Sequence, residues 1–182
     1  MTQDNLLNGL IEGHSDAQRA LLQLYGGRVF SQIARVVRRQ EDAEEVYQDV
    51  FIKVFRSIAA YNPAKASLLT WLMRIAYHEA LNFTRGGQPH MVSIETCTHE
   101  ADRCGRQEAD LPPSHDDETV AIVEQAINRL PPDDQALISM YYYEELSTKE
   151  IAYITDSIPT TVASRLFRTR QKLQRIIKEL KQ

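Results

Sequence analysis

Residues 147–181 read STKEIAYITDSIPTTVASRLFRTRQKLQRIIKELK, and the reading of the fold starts there. Ser147 and Glu150 stand three apart, the spacing at which two side chains reciprocally satisfy backbone N–H groups at a helix start. Ile151 and Ile154 supply an apolar face behind that start, and small Ala152 lets a second helix cross closely. Asp156 and Ser157 suit a turn, Asp because it tolerates left-handed backbone. Pro159 suits the first turn of a following helix, where its missing N–H would have no partner anyway. Val162, Leu166, Phe167, Leu173, Ile176, Ile177 and Leu180 recur at about helical spacing and predict a packed face. The arrangement is a helix-turn-helix, in which the first helix supports and the second enters a nucleic-acid groove.

The charge of this stretch agrees with that partner. Arg165, Arg168, Arg170, Lys172, Arg175, Lys178 and Lys181 face mostly away from the apolar row, with Glu179 the one acid after Asp156. Clustered positive charge along a helix is a footprint for phosphate. A solvated amphipathic helix would show the same run of charge. The capping box, the turn, and Val162 placed ten residues after Ala152 decide for DNA.

The net charge of the 182-residue chain is −4, which hides two opposite segments. Residues 86–118 hold eight acids against Arg103 and Arg106, a net −6, whereas residues from Ser147 onward hold eight bases against three acids. The start, MTQDNLLNGL, lacks the basic region and apolar core of an export signal. No apolar run approaches the about 20 residues needed to span a bilayer. A cytoplasmic location without membrane insertion is therefore expected. Cys97 and Cys104 are then reduced thiols rather than a disulfide.

Working outward, residues 4–85 read as helical throughout, with no proline before Pro63. Leu21, Leu24, Tyr25, Val29, Ile33 and Val36 mark one apolar face. A second helix fits 43–59, with Val46, Val50 and Val54 inward, and a third fits 68–83 after the break Tyr61-Asn62-Pro63. Residues 86–118 are acidic and poor in large apolar side chains, the composition of a flexible linker. A second helical unit is expected over 119–182, with Val120, Val123, Ile127 and Leu130 on one face and Pro131-Pro132 before the next helix. The expected fold is all-α: two small helical domains, 1–85 and 119–182, on a tether.

Three motifs carry a resemblance: DAEEVYQDVFIKVFRSI at 42–58, TWLMRIAYHEALNFTR at 70–85, and LPPDDQALISMYYYEELSTKEIAYIT with TTVASRLFRTRQKL within 130–173. In this order and spacing the chain resembles bacterial RNA polymerase sigma factors of the extracytoplasmic-function type, in the sigma-70 family. The resemblance covers nearly everything outside 86–118. It implies a region 2 bundle at 1–85, a region 4 helix-turn-helix at 119–182, and no catalytic residues, cofactor or metal. The implied activity is directing the polymerase core to specific promoters, and the implied partners are that core, through its largest-subunit clamp and flap, and promoter DNA. An anti-sigma factor is a further partner class of the family.

The resemblance also assigns residues. Glu45, Gln48 and Asp49 match the clamp-docking positions; by themselves Glu45 and Asp49, four apart beside Glu44, read equally as a solvated acidic face. Tyr61, Met73, Arg74, His78 and Asn82 match the positions that capture an unpaired −10 strand. Of these, Arg74, His78 and Asn82 are spaced by four and share one helix face. Thr160, Thr161, Ala163, Ser164, Arg165, Arg168 and Arg170 match the −35 reading region. Arg168 is the foremost base reader, because a guanidinium bonds guanine at two points. Arg165 and Arg170 serve phosphate as readily. The chain departs from the family at Asp156, where a turn glycine is common, and at Ala163, where a base is common.

Two competing readings remain at this level. A free-standing helix-turn-helix regulator would use residues 1–85 as a sensor or dimerisation domain, although they show no ligand-pocket pattern. His90, Cys97, His99, Cys104 and His115 would have to form a metal site for a zinc-dependent activity, but they lack paired C-x-x-C spacing.

Overall fold

The computed structural model describes residues 3–86 and 117–181. The regular structure of those residues is helical, with no strand among them. Nearly the whole acidic segment, including Cys97 and Cys104, lies outside the described residues. Asp117 and Glu118, expected in the tether, instead begin a helix.

The first unit contains four helices: α1 (Gln3–Ile11), α2 (Ser15–Val36), α3 (Gln40–Ser57) and α4 (Leu68–Thr84). The expected continuous first helix is divided at Gly13, whose φ of 78° ends α1 in the left-handed region where glycine costs least. This fold-back brings α1 against α2. α3 buries Ala43, Val46, Val50, Phe51 and Val54, as their spacing predicts, and ends in a 3-10 turn, Ile58–Ala60. Ser67 caps α4 by accepting the Thr70 N–H at 3.1 Å.

α4 is the central element. Leu68, Trp71, Leu72, Met73, Ala76, Tyr77, Ala80 and Leu81 are all buried on it. A surface helix would bury one stripe; α4 buries more because it packs on α2 and α3 on one side and on the second unit on the other.

The second unit comprises α5 (Asp117–Asn128), α6 (Pro132–Ile138), a π-helical turn (Ser139–Tyr143), α7 (Thr148–Ile154) and α8 (Pro159–Leu180). Pro132 opens α6 in the first turn, where its ring costs no hydrogen bond. Ile127, Leu130 and Ile138 form a small cluster with Val123, Tyr142, Leu173 and Ile176. The remaining buried side chains of α6 to α8, among them Leu137, Met140, Ile151 and Val162, belong to one cluster with the core of α1 to α4. The two units are therefore packed together.

Three apolar residues differ from expectation. Leu24, Phe167 and Val120 are 61%, 59% and 50% exposed. Leu24 and Phe167 sit off the arcs that carry Leu21 and Val29 on α2 and Val162 and Leu166 on α8, so helical spacing alone placed them inward wrongly.

Candidate nucleic-acid interface

The helix-turn-helix forms as its local chemistry dictates. Ser147 Oγ accepts the Glu150 N–H at 3.3 Å, and Ser147 N donates to Glu150 Oε2 at 2.9 Å, closing both halves of the capping box. Ile151, Ala152 and Ile154 bury the inner face of α7. The turn passes through Asp156 at φ 52°, and α8 begins at Pro159. Val162, Leu166 and Thr169 then seat α8.

This seating leaves Thr160, Thr161, Ser164 and Arg168 exposed along one side of α8, with Ala163 half-buried beside them. Arg168 Nε reaches the Ser164 carbonyl at 3.4 Å, a long contact that leaves the fork available. Phe167 lies among these residues, exposed. The sequence reading missed it as a surface group; what signals it is its offset from the Val162–Leu166 row.

The basic row divides into two sets. Arg170 donates from Nε to the Tyr142 hydroxyl at 2.7 Å and lies 5.4 and 5.6 Å from the Tyr141 and Tyr142 ring centres. Lys172 pairs with the well-buried Asp134 at 2.7 Å. These two hold α8 to α6 and its π turn. Arg175, Lys178 and Lys181 are exposed, and their side chains make no hydrogen bond or ion pair among the described residues.

On α3, Glu45, Gln48 and Asp49 are exposed and likewise without such partners among the described residues, whereas Glu44 accepts from Gln40 at 3.0 Å. Exposed Ile52 continues their stripe one turn further, an apolar neighbour that the acidic pattern does not signal.

The five residues matched to −10 capture do not form one surface. Met73 is fully buried in the core, so it corrects the expectation: its position on α4 faces the inward side of the bundle. Tyr61 is half-buried; its hydroxyl donates to the Ala66 carbonyl at 3.1 Å and its ring packs 5.5 Å from Trp71. A cleft of about 330 Å³ opens beside it, lined by Leu7, Ile11, Ile58 and Pro63. Arg74, His78 and Asn82 do share a face of α4, all half-buried, but Arg74 and His78 point into the second unit.

Arg74 Nη2 lies 2.6 Å from Asp156 Oδ1, and Nη1 donates to the Tyr153 carbonyl at 2.6 Å. His78 Nε2 lies 3.2 Å from the other oxygen, Asp156 Oδ2. Beside them, Thr70 donates to Glu150 at 3.1 Å and Arg85 pairs with Asp133 at 2.9 Å. Burial raises the Tyr77 hydroxyl above its ordinary value, and Asp133 adds to this against the opposing charges of Arg165 and Arg85. Burial also acts to raise Glu150, but its bonds from the Ser147 side chain and backbone and from Thr70 outweigh it and leave the carboxyl below its ordinary value.

Among the described residues no three His, Cys, Asp or Glu side chains converge as metal ligands. No helix there is long and apolar enough to cross a membrane.

Comparison with known proteins agrees with this layout. Residues 21–89 match the Sigma-70 region 2 family and residues 121–173 match the Sigma-70 region 4 family. The ECF RNA polymerase sigma-E factor of Haemophilus influenzae is 31% identical, the alignment covering 99% of this chain and 97% of that protein. The sigma-E factor of Escherichia coli K12 is 28% identical over 99% and 96%. Among solved structures, CnrH in complex with the cytosolic domain of CnrY superposes with a TM-score of 0.68 at 17% identity, over 96% of both chains. RpoE of Bartonella quintana, in complex with the anti-sigma factor NepR, superposes with a TM-score of 0.62 at 22% identity, over 88% of this chain and 96% of that one. At such identities these two likenesses establish the fold.

Proposed function

The chain belongs to the extracytoplasmic-function sigma factors of the sigma-70 family, and from that premise we propose how its two units divide the work of promoter-specific transcription initiation. Residues 1–85 dock the polymerase clamp and capture the unpaired −10 strand; residues 119–182 read the −35 element; residues 86–118 connect them. RNA synthesis belongs to the polymerase core, so this chain needs no catalytic group of its own, and it works in the cytoplasm.

The observation that carries the reading is the geometry of α8. A capped supporting helix, a left-handed turn at Asp156 and a start at Pro159 leave Thr160, Thr161, Ser164 and Arg168 outward on a helix seated by Val162 and Leu166. An α-helix so mounted fits a B-DNA major groove. Arg168 reads a guanine edge, and exposed Phe167 contacts a thymine methyl. Thr160 and Thr161 meet phosphate at the N-terminus of α8.

On the first unit, the Glu45–Gln48–Asp49 stripe with Ile52 offers charge and apolar contact to a basic partner helix. Tyr61 with its cleft, and Arg74, His78 and Asn82, offer stacking and polar contacts to a single strand. Two modest DNA contacts on one chain act together through effective concentration. An anti-sigma factor is proposed as a further partner, on the likeness to sigma factors solved with such partners.

Pull-down of core polymerase, followed by mapping of transcript starts after overexpression, tests the whole reading. Retained core and new starts sharing −10 and −35 elements are expected. Absence of core binding would sink it in favour of a free-standing regulator.

A further inference from the structure

The face of α4 that carries Arg74 and His78 and the turn of the helix-turn-helix are engaged with each other. Both oxygens of the Asp156 carboxylate face residues spaced by four on α4: Arg74 Nη2 lies 2.6 Å from Oδ1, and His78 Nε2 lies 3.2 Å from Oδ2, a contact that is an ion pair only when the imidazole is protonated. Arg74 also donates to the Tyr153 carbonyl, and its guanidinium lies 4.9 Å from the centre of the Tyr153 ring. The side chains of Arg74 and His78 are only 18% and 17% exposed as a result, while Asp156 is 48% exposed. The engagement extends beyond Asp156, because Thr70 of α4 donates to Glu150 of α7 at 3.1 Å and Arg85, just past the end of α4, pairs with Asp133 of α6 at 2.9 Å.

A second observation concerns the backbone. Asp156 stands at φ 52°, in the region where glycine carries no steric cost. An aspartate is there at some conformational expense, and what the carboxylate contributes is an anion facing Arg74 and, when it is protonated, His78.

We infer that Asp156 is an internal stand-in for a promoter phosphate: a latch that holds Arg74 and His78 in the free chain and must release them before the −10 strand is captured. The inference rests on the reading of Arg74 and His78 as strand contacts. Its consequence is a closed free chain in which the turn of the helix-turn-helix restrains the strand-reading face of α4 through Asp156. Binding then draws on the open fraction alone, which lowers apparent affinity by that fraction.

The latch is tested on the full-length chain with Cys97 and Cys104 replaced by Ser and fluorophores on cysteines introduced at the exposed positions Lys65 and Gln171. Asp156→Gly suits the positive φ, and Asp156→Asn keeps the shape without the charge. Both should lower energy transfer between the units. Both should also tighten binding of a fluorescein-labelled single-stranded DNA of mixed sequence about two- to fivefold, the scale of losing a partly exposed ion pair. Arg74→Ala should lower energy transfer and weaken that binding. Unchanged transfer and unchanged affinity in both Asp156 variants, with melting temperatures intact, would overturn the latch even where Arg74→Ala still weakens DNA binding. Lowered transfer with no gain in affinity would overturn the masking. Arg74→Ala then shows whether the strand-contact reading falls with it: parental affinity removes that reading, weakened affinity keeps it.

Discussion

Thr70 on α4 and Glu150 on α7 are joined by a hydrogen bond of 3.1 Å between residues 80 apart in sequence. The same Glu150 carboxylate closes the capping box of α7 through Ser147. One side chain thus holds the start of the supporting helix and ties that helix to the first unit.

Glu150→Ala removes both functions and should destabilise the chain by about 1–2 kcal/mol, the scale of a lost cap. Thr70→Val, which spares the capping box, should cost less. Urea unfolding followed by far-ultraviolet circular dichroism gives the comparison; equal losses in the two variants would mean that the cap contributes nothing.

The lowered Glu150 carboxyl sets a direction for acid sensitivity. A carboxyl below its ordinary value when folded adds stability that is fully present above the unfolded value of about 4.5, and that stability is lost as the pH falls through the folded value. The gap in stability between the parent and Glu150→Gln should therefore narrow as the pH is lowered from 7 to below 4. A gap that stays constant over that range contradicts the assignment.

Gly26 and Gly27 are adjacent on α2 but should respond oppositely to alanine. A Cβ at Gly26 would lie 2.6 Å from the Tyr47 hydroxyl, whereas at Gly27 it meets nothing within 4 Å. Gly26→Ala should cost about 1–3 kcal/mol by overpacking. Gly27→Ala should add about 0.5–1 kcal/mol through helix propensity. Thermal denaturation separates them by the sign of the change.

Glu45→Arg combined with Asp49→Arg should abolish capture by core polymerase while stability stays within about 0.5 kcal/mol, because both side chains are exposed. Capture at the parental level would remove α3 from the docking surface.

Arg168→Ala should weaken duplex binding by about 1–3 kcal/mol at promoters with guanine in one −35 position, and little elsewhere. Phe167→Ala should weaken sites with thymine in the neighbouring step without loss of stability, since the ring is exposed. Lys181→Ala should weaken every sequence slightly and reduce the salt dependence. Titrations on a panel of −35 duplexes distinguish these; uniform effects of Arg168→Ala would rule out base reading by it.

The residues that read correctly from sequence did so for short-range reasons. The Ser147–Glu150 box, the turn at Asp156 and the start at Pro159 each depend on groups within a few residues, and all three formed as their chemistry requires. Periodicity found α3 and α4 within a few residues of their ends, and missed the fold-back at Gly13, which falls in the polar stretch 12–16 ahead of the apolar row that starts at Leu21. It also misjudged Phe167, because a spacing of roughly one turn tolerates residues that lie off the buried arc.

By itself, the sequence determined the helical class, the helix-turn-helix, the acidic stripe on α3 and the family, since all of these follow from local spacing, capping and charge. Only the tertiary structure decided that Met73 is core, that Arg170 and Lys172 anchor α8, and that Arg74 and His78 face Asp156. Those outcomes depend on how α4 lies against α2, α3 and α7 and on how α8 lies against α6. The bond from Arg74 to Tyr153 spans 79 residues, and no periodicity or capping rule within a window of one or two turns encodes a contact at that range.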